Sequence, residues 1–258
     1  MTGQPAANQR TAQRTVTAIA AFAIVALAFA ANFLFNHTAK GAGVRAIPAL
    51  YPVVFFIGLG TLLPAWLLGK IASSGRATAR QLGIGAGRRD AMAVVIGVIM
   101  GAVFAAVPLA PFLRDAAGLR LLHGLFANLL VASTAEVLLF LGVLSVGIRA
   151  LLGRGDDWLT RAAIVVVSSI AFGLFHFTYP EPWNTLETAA TLSLIWIAVS
   201  LLFVLGRSLL AAIVLDNILA VIGFARNGLT LPQPPLNGWL LAAAAFACFL
   251  LVYRLARR

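Results

Sequence analysis

Residues 121–148 read LLHGLFANLLVASTAEVLLFLGVLSVGI. The run contains no lysine, arginine or aspartate, and its one acid, Glu136, stands near its middle. A membrane-crossing α-helix needs about 20 consecutive apolar residues, so this stretch is long enough to span a bilayer with turns to spare. Working outward, seven further runs of the same kind follow, at 15–36, 47–69, 91–112, 160–179, 187–206, 208–225 and 238–254. The composition agrees: 61% of the 258 residues are hydrophobic and 10% charged, where a soluble domain averages about half and a quarter. The mean hydropathy is +0.97. The sequence predicts an all-α, polytopic membrane protein with about eight transmembrane helices in one bundle. No charged stretch is long enough for a separate soluble module, so residues 1–258 are read as a single membrane domain.

The net charge of +11 raises the question of nucleic acid, and the placement of the basic residues answers it. With eight spans, Arg10, Arg14, Lys70, Arg76, Arg80, Arg88, Arg89, Arg149, Arg154, Arg161, Arg207, Arg254, Arg257 and Arg258 fall on the side of the N-terminus. Only Lys40, Arg45, Arg114, Arg120 and Arg226 fall on the other. By the positive-inside rule both termini are cytoplasmic. The expected location is a bacterial-type plasma membrane, the partner is the lipid bilayer, and no nucleic-acid role is expected. Arg10 and Arg14 before an apolar stretch ending Ala28-Phe29-Ala30 have the look of a secretory signal. The stretch is as long as a spanning helix, however, and an uncleaved first helix is expected. Cys248 is alone and lies in an apolar run, so there is no intrachain disulfide and no Cys-x-x-Cys motif.

The polar stretch 73–90 carries Gly75, Gly83, Gly85 and Gly87 among arginines. It lacks the Lys-Ser/Thr of a phosphate-binding loop and reads as a connecting loop or short interfacial helix. Pro48, Pro52 and Pro64 fall in the second span, and Pro108 and Pro111 end the third. Residues 112–179 contain no proline, which predicts straight fourth and fifth helices. Gly97, Gly101 and Ala105 form a small-residue stripe expected to admit a neighbouring helix of the same chain.

Of the eight acids, Asp90, Asp115, Asp156, Asp157 and Glu181 fall in loops or at span ends, and Glu187 starts a helix. Glu136 and Asp216 remain deep. An ionisable group at mid-span costs about 2.5–3.5 kcal/mol on insertion scales, so it faces the interior, finds a partner and marks a site. His176, in Phe172-Gly173-Leu174-Phe175-His176, is the third anomaly, about 22 Å along the helix from Arg161 at 1.5 Å per residue. His37 and His123 lie near span ends and are expected to be interfacial. Two carboxylates and an imidazole from three helices are the minimum for a three-ligand metal site with an open position for water. A glutamate base beside a histidine could equally activate water without a metal. A structural reading, in which each group serves packing, stands beside both.

At these residues the chain resembles the CPBP intramembrane metalloprotease family, which includes the type II CAAX prenyl endopeptidases and bacteriocin-processing or self-immunity proteins. That family has about eight helices and three signatures: Glu-Glu-x-x-x-Arg, Phe-x-x-x-His, and His-x-x-x-Asn/Asp. Here Glu136 matches the first glutamate, while Val137 and Leu141 replace the second glutamate and the arginine. Phe172 to His176 keeps the second signature intact. In the third, Asp216 occupies the histidine position and Ala220 the Asn/Asp position. The resemblance covers most of the chain, with a core over about 91–225.

The resemblance implies an intramembrane endopeptidase in which Glu136 and His176 are catalytic and activate water. It also implies that His176, Asp216 and Glu136 hold a divalent metal, zinc or a harder ion that favours the Asp216 oxygen. The substrate would be a membrane-associated protein or peptide. The losses at Val137, Leu141 and Ala220 remove groups that orient the carboxylate and stabilise charge. A non-catalytic binding or immunity protein on the same scaffold is therefore the alternative, with a small transporter using Glu136 and Asp216 as a proton or cation relay as the third.

Overall fold

The computed structural model describes residues 4–46, 50–74, 78–79, 81–84, 87–153, 156–229 and 235–257, whose regular structure is helical throughout. In chain order the helices are α1 (Gln4–His37), α2 (Ala39–Ala46), α3 (Pro52–Ser73), α4 (Arg88–Ala105), α5 (Ala116–Leu152), α6 (Trp158–Thr178), α7 (Leu186–Gly206), α8 (Leu209–Arg226) and α9 (Pro235–Arg257). Among the described residues, seven helices are long and apolar enough to cross a membrane: α1 from Thr11, α3, and α5 to α9. The protein is an integral membrane protein.

The expected third span, 91–112, is shorter than the pattern predicts. α4 stops at Ala105, Pro108 lies in the turns that follow, and Pro111 belongs to a separate 3₁₀ turn, Ala110–Leu113. Proline supplies no N–H to continue the ladder and crowds the preceding turn, which ends the helix where the two prolines begin. Arg88, Arg89 and Asp90 fill the first turn, leaving only 91–105 free of charge. The Gly97–Gly101 stripe does receive a helix. A Cβ on Gly97 would touch the Ala211 carbonyl at 3.0 Å, and one on Gly101 would overlap Ile218, so α4 lies close along α8.

Two of the acids outside the apolar middle cap helix starts. Asp115 accepts from the Gly118 amide at 2.7 Å to cap α5, and Asp157 accepts from Thr160 at 2.8 Å to cap α6. Thr185 and Ser208 cap α7 and α8 in the same way. Each hydroxyl or carboxylate satisfies one of the orphan N–H groups of a helix start. Of the loop glycines, Gly75 and Gly85 lie outside the described residues. Gly83 turns at φ 73° and its carbonyl accepts from the Leu209 amide at 3.0 Å, which docks the 81–84 turn on the corner between α7 and α8.

α5 is the structural axis. In its most apolar 18-residue window 89% of residues are buried, against 22% in α9. It runs without a break but changes to π register over Leu138–Val143, beginning two residues beyond Glu136. The straight α-helix predicted from the absence of proline is thus interrupted in register without any proline. Ser168 of α6, fully buried, donates to the Phe140 carbonyl within that segment at 2.8 Å. Short π segments occur disproportionately at functional sites, because they leave carbonyls for other donors and re-aim side chains. Around it Phe55, Phe140, Phe172, Phe175 and Trp196 form one aromatic cluster, in which Phe172 stacks on Trp196 at 3.5 Å and 12°.

Where α5 ends and α6 begins, Asp156 receives three arginines. Arg161 donates through Nε and Nη2 at 3.2 and 3.1 Å, Arg149 lies at 3.5 Å, and Arg207 also bonds the carboxylate. Burial pushes the Asp156 carboxyl upward, but the Arg161 hydrogen bond and the Arg149 and Arg207 charges outweigh it and hold the group below the ordinary aspartate range. The folded value is depressed, so the stabilisation is complete above the unfolded value of about 3.9 and is lost as pH falls below it. Asp156→Asn is expected to lower stability in detergent at pH 7 by about 1 kcal/mol, a figure discounted for solvent screening. Denaturant unfolding of both proteins from pH 7 to pH 2 should show the gap close below about pH 3.9. A gap independent of pH would mean that the Asp156 charge contributes nothing.

Candidate functional site

The three ionisable residues of the apolar runs come to one place. Glu136 on α5, His176 at the end of α6 and Asp216 on α8 are 8%, 9% and 4% exposed and line a single cavity of about 710 Å³. Its walls are apolar, from Phe56 and Leu129 through Phe172, Trp196 and Leu219 to Phe224. α5 delivers Glu136 from the last α-helical turn before its π segment. His176 opens a 3₁₀ turn, His176–Thr178, that ends α6 by tightening its last carbonyl bonds. His37 and His123 are elsewhere, His37 stacked on Phe33 and His123 accepting from the Trp239 indole at 3.1 Å.

The hydrogen bonds assign states. His176 Nδ1 is 2.9 Å from the Phe172 carbonyl. A carbonyl only accepts, so Nδ1 carries a proton, and in the neutral imidazole Nε2 keeps the lone pair. The Tyr179 hydroxyl donates to Glu136 Oε1 at 2.8 Å, leaving the second carboxylate oxygen for another partner. Tyr179 also lies 5.2 Å, ring to ring, from His176, so one short segment contacts both groups. Asp216 has Ser133 as its polar neighbour, and its Oδ2 is buried with no hydrogen-bond partner. A buried carboxylate oxygen left unpaired is costly, and here it belongs to a residue of the cavity wall.

The residues do not fit the three-ligand metal site drawn from the sequence. Among the described residues no group of three His, Cys, Asp or Glu side chains is gathered closely enough to hold an ion. Sharing a cavity is a looser condition than converging within the roughly 2 Å bonds that zinc requires, and Glu136 already spends Oε1 on Tyr179.

Four contributors are absent from the sequence reading: Tyr51, Tyr179, Asn32 and Thr178. Asn32, fully buried in α1, donates to Thr178 Oγ1 at 2.7 Å and accepts from the Tyr51 hydroxyl at 2.6 Å and from Asn36 at 3.0 Å. Tyr51 is a cavity wall and Thr178 belongs to the His176 turn. One amide therefore ties α1 to two sides of the site. The signal left unread is an asparagine inside an apolar run, since polar residues in spanning helices bond across to other helices. Asn32→Leu is expected to cost about 1–2 kcal/mol, the upper part of the range for interhelical bonds in membranes. Thermal unfolding in detergent beside Asn32→Asp, which keeps the Tyr51 acceptor, checks this: Asp should retain part of the loss, and equal stability of all three proteins would contradict it.

Fold and site together define an all-helical integral membrane protein enclosing a buried carboxylate–imidazole cavity. No family model matches the chain, and neither a curated protein nor a solved structure does.

Proposed function

We propose that the chain is an intramembrane endopeptidase, similar in scaffold to the CPBP metalloproteases, that hydrolyses peptide bonds of membrane-associated proteins or peptides. The carrying observation is that Glu136, His176 and Asp216, forty residues apart in sequence and on three helices, line one cavity. In this reading α4 is the eighth span of one bundle, because it packs along the candidate span α8 through Gly97 and Gly101. Its outer residues Val95, Val98, Ile99 and Val103 are exposed apolar groups suited to lipid. Eight spans put both termini on the basic side, the cytoplasmic one in a bacterial-type plasma membrane.

The chemistry follows from the free lone pairs. A water between Glu136 and His176 Nε2 gives its proton to one of them as its oxygen bonds to the peptide carbonyl carbon. The C–N bond then breaks and the proton passes to the leaving amine. Tyr179 holds the Glu136 carboxylate through Oε1 and keeps its other oxygen directed to the water. The apolar part of the wall, from Phe56 and Leu129 to Phe224, receives the side chains of an unfolded membrane segment. The test compares new peptide N-termini, by mass spectrometry, in membranes carrying the wild type or Glu136→Gln at equal levels.

A second reading has its own observation. Val137 and Leu141, where the resembled family carries a glutamate and an arginine, are fully buried in the apolar core, and Ala220 brings no polar group to the cavity wall. A non-catalytic scaffold that captures a membrane peptide needs only the cavity. Under this reading partner capture survives Glu136→Gln and no wild-type-specific N-termini appear.

A further inference from the structure

The arginines on Asp156 outnumber what one carboxylate can use. Arg149 ends α5, Arg161 lies in the first turn of α6, and Arg207 is the corner between α7 and α8. Three guanidinium groups offer five N–H donors each, and Asp156 receives bonds from Arg161 and Arg207 with Arg149 Nη1 at its edge. The Arg149 Nε is buried without a partner. The neighbouring Asp157 directs its Oδ1 to the Thr160 amide as the cap of α6. Around Asp156 itself, three positive charges face one negative charge. The Arg14 guanidinium of α1 lies against Gly153, in the same turn.

Arg207 adds an independent observation. It is the single non-glycine residue with positive φ among the described residues, at 53°, and it is the C-cap of α7. Glycine adopts this conformation without steric penalty and ordinarily fills it. An arginine there accepts backbone strain to place a guanidinium on Asp156, and strained positions of this kind cluster at functional sites. The three side chains are 19%, 35% and 30% exposed, so the cluster is open on one side. It also lies where the spans α5 and α7 end and α6 and α8 begin, the level of a bilayer's headgroups for helices of this length.

We propose that Arg149, Arg161 and Arg207 form a binding site for one phosphate group, with Asp156 as the spacer that holds them apart. Guanidinium forks bind phosphate oxygens bidentately, and three guanidinium groups directed at the single Asp156 carboxylate hold more N–H donors than it takes up. The phosphate belongs either to an anionic lipid headgroup or to a soluble phosphate compound. This site lies at the start of α6, while His176 lies at its end, some 15 residues or about 22 Å along the helix. It does not depend on the hydrolytic reading.

The test is native mass spectrometry and thermal shift on the full chain in a zwitterionic detergent. The probes are phosphatidylglycerol, phosphatidylcholine and inorganic phosphate. One phosphatidylglycerol should bind saturably at least tenfold more tightly than phosphatidylcholine. Arg207→Gln should weaken it about tenfold, and Arg207→Lys, which keeps the charge but not the fork, about threefold. Arg120→Gln, the same loss of charge at the far end of α5, should leave binding unchanged. Asp156→Asn should bind severalfold more tightly while being less stable, an opposition that misfolding cannot produce. Saturation by inorganic phosphate that also displaces the lipid would support the site and assign it to soluble phosphates. Binding of neither probe, or equal weakening by Arg207→Gln and Arg120→Gln, would overturn the proposal.

Discussion

Glu136→Gln is expected to lower peptide-bond cleavage by about 10²–10⁴-fold, the range associated with loss of a positioned general base, while leaving the protein folded. Gln is the same size as Glu, and its carbonyl oxygen can accept the Tyr179 bond that Glu136 Oε1 accepts now. The change therefore removes the proton acceptor and little else. Wild-type membranes should yield N-terminal peptides that the Gln variant lacks at equal protein levels. Tyr179→Phe should sit between the two, with about a tenfold loss typical of a lost orienting hydrogen bond. It keeps the ring contacts with Phe175 and His176 and removes only the hydroxyl. Wild-type-specific cleavage that persists in Glu136→Gln would end the assignment of Glu136 as base. An absence of such cleavage in the wild type itself, with both proteins folded, would favour the non-catalytic scaffold.

What the sequence could reveal depended on whether a residue carries its signal alone. Glu136, Asp216 and His176 are conspicuous because a charge or imidazole in an apolar run is costly wherever its helix points. They do share a cavity. The seven spans are legible for the same reason, since length and hydropathy are properties of one segment. α4 is less legible because Arg88, Arg89 and Asp90 are part of its helix, whereas its hydropathy pattern runs on through Pro108. The π segment over Leu138–Val143 leaves no trace in composition; the residue that answers it, Ser168, is on another helix. Tyr179, just past the end of α6, and Tyr51, just before α3, gain their roles only from how the helices are set against one another, which decides that one hydroxyl meets Glu136 and the other Asn32. The metal trio turns on the same point: three residue types on three helices establish a donor set, only relative rotation and translation establish convergence, and among the described residues no such group of three is gathered.

Gly173→Ala is expected to destabilise the protein by about 3 kcal/mol, the upper part of the range for overpacking a filled interface, and Gly173→Leu to prevent folding. A Cβ at Gly173 would overlap both Ser193 Oγ and the Ala189 carbonyl oxygen of α7. The hydroxyl can move, but the carbonyl is fixed by the helix, so α6 and α7 must separate. Ser193 Oγ donates back to that carbonyl at 2.9 Å, which places the whole obstacle on one ridge of α7. Separation also carries His176, three residues further along α6, away from Trp196 on the facing wall. Cleavage should therefore fall together with stability. Pairing Gly173→Ala with Ser193→Gly should recover only part of the loss, because the backbone contact remains, and the double-mutant cycle reads that part directly. Gly142→Ala is the contrast: its Cβ would meet the Leu68 Cδ1 at 3.3 Å, the end of a side chain that can yield, and the cost should stay below about 1 kcal/mol. Thermal unfolding in detergent separates the two positions. Equal stability of Gly173→Ala and wild type would mean that α6 and α7 do not approach this closely, and that the imidazole is not held by their contact.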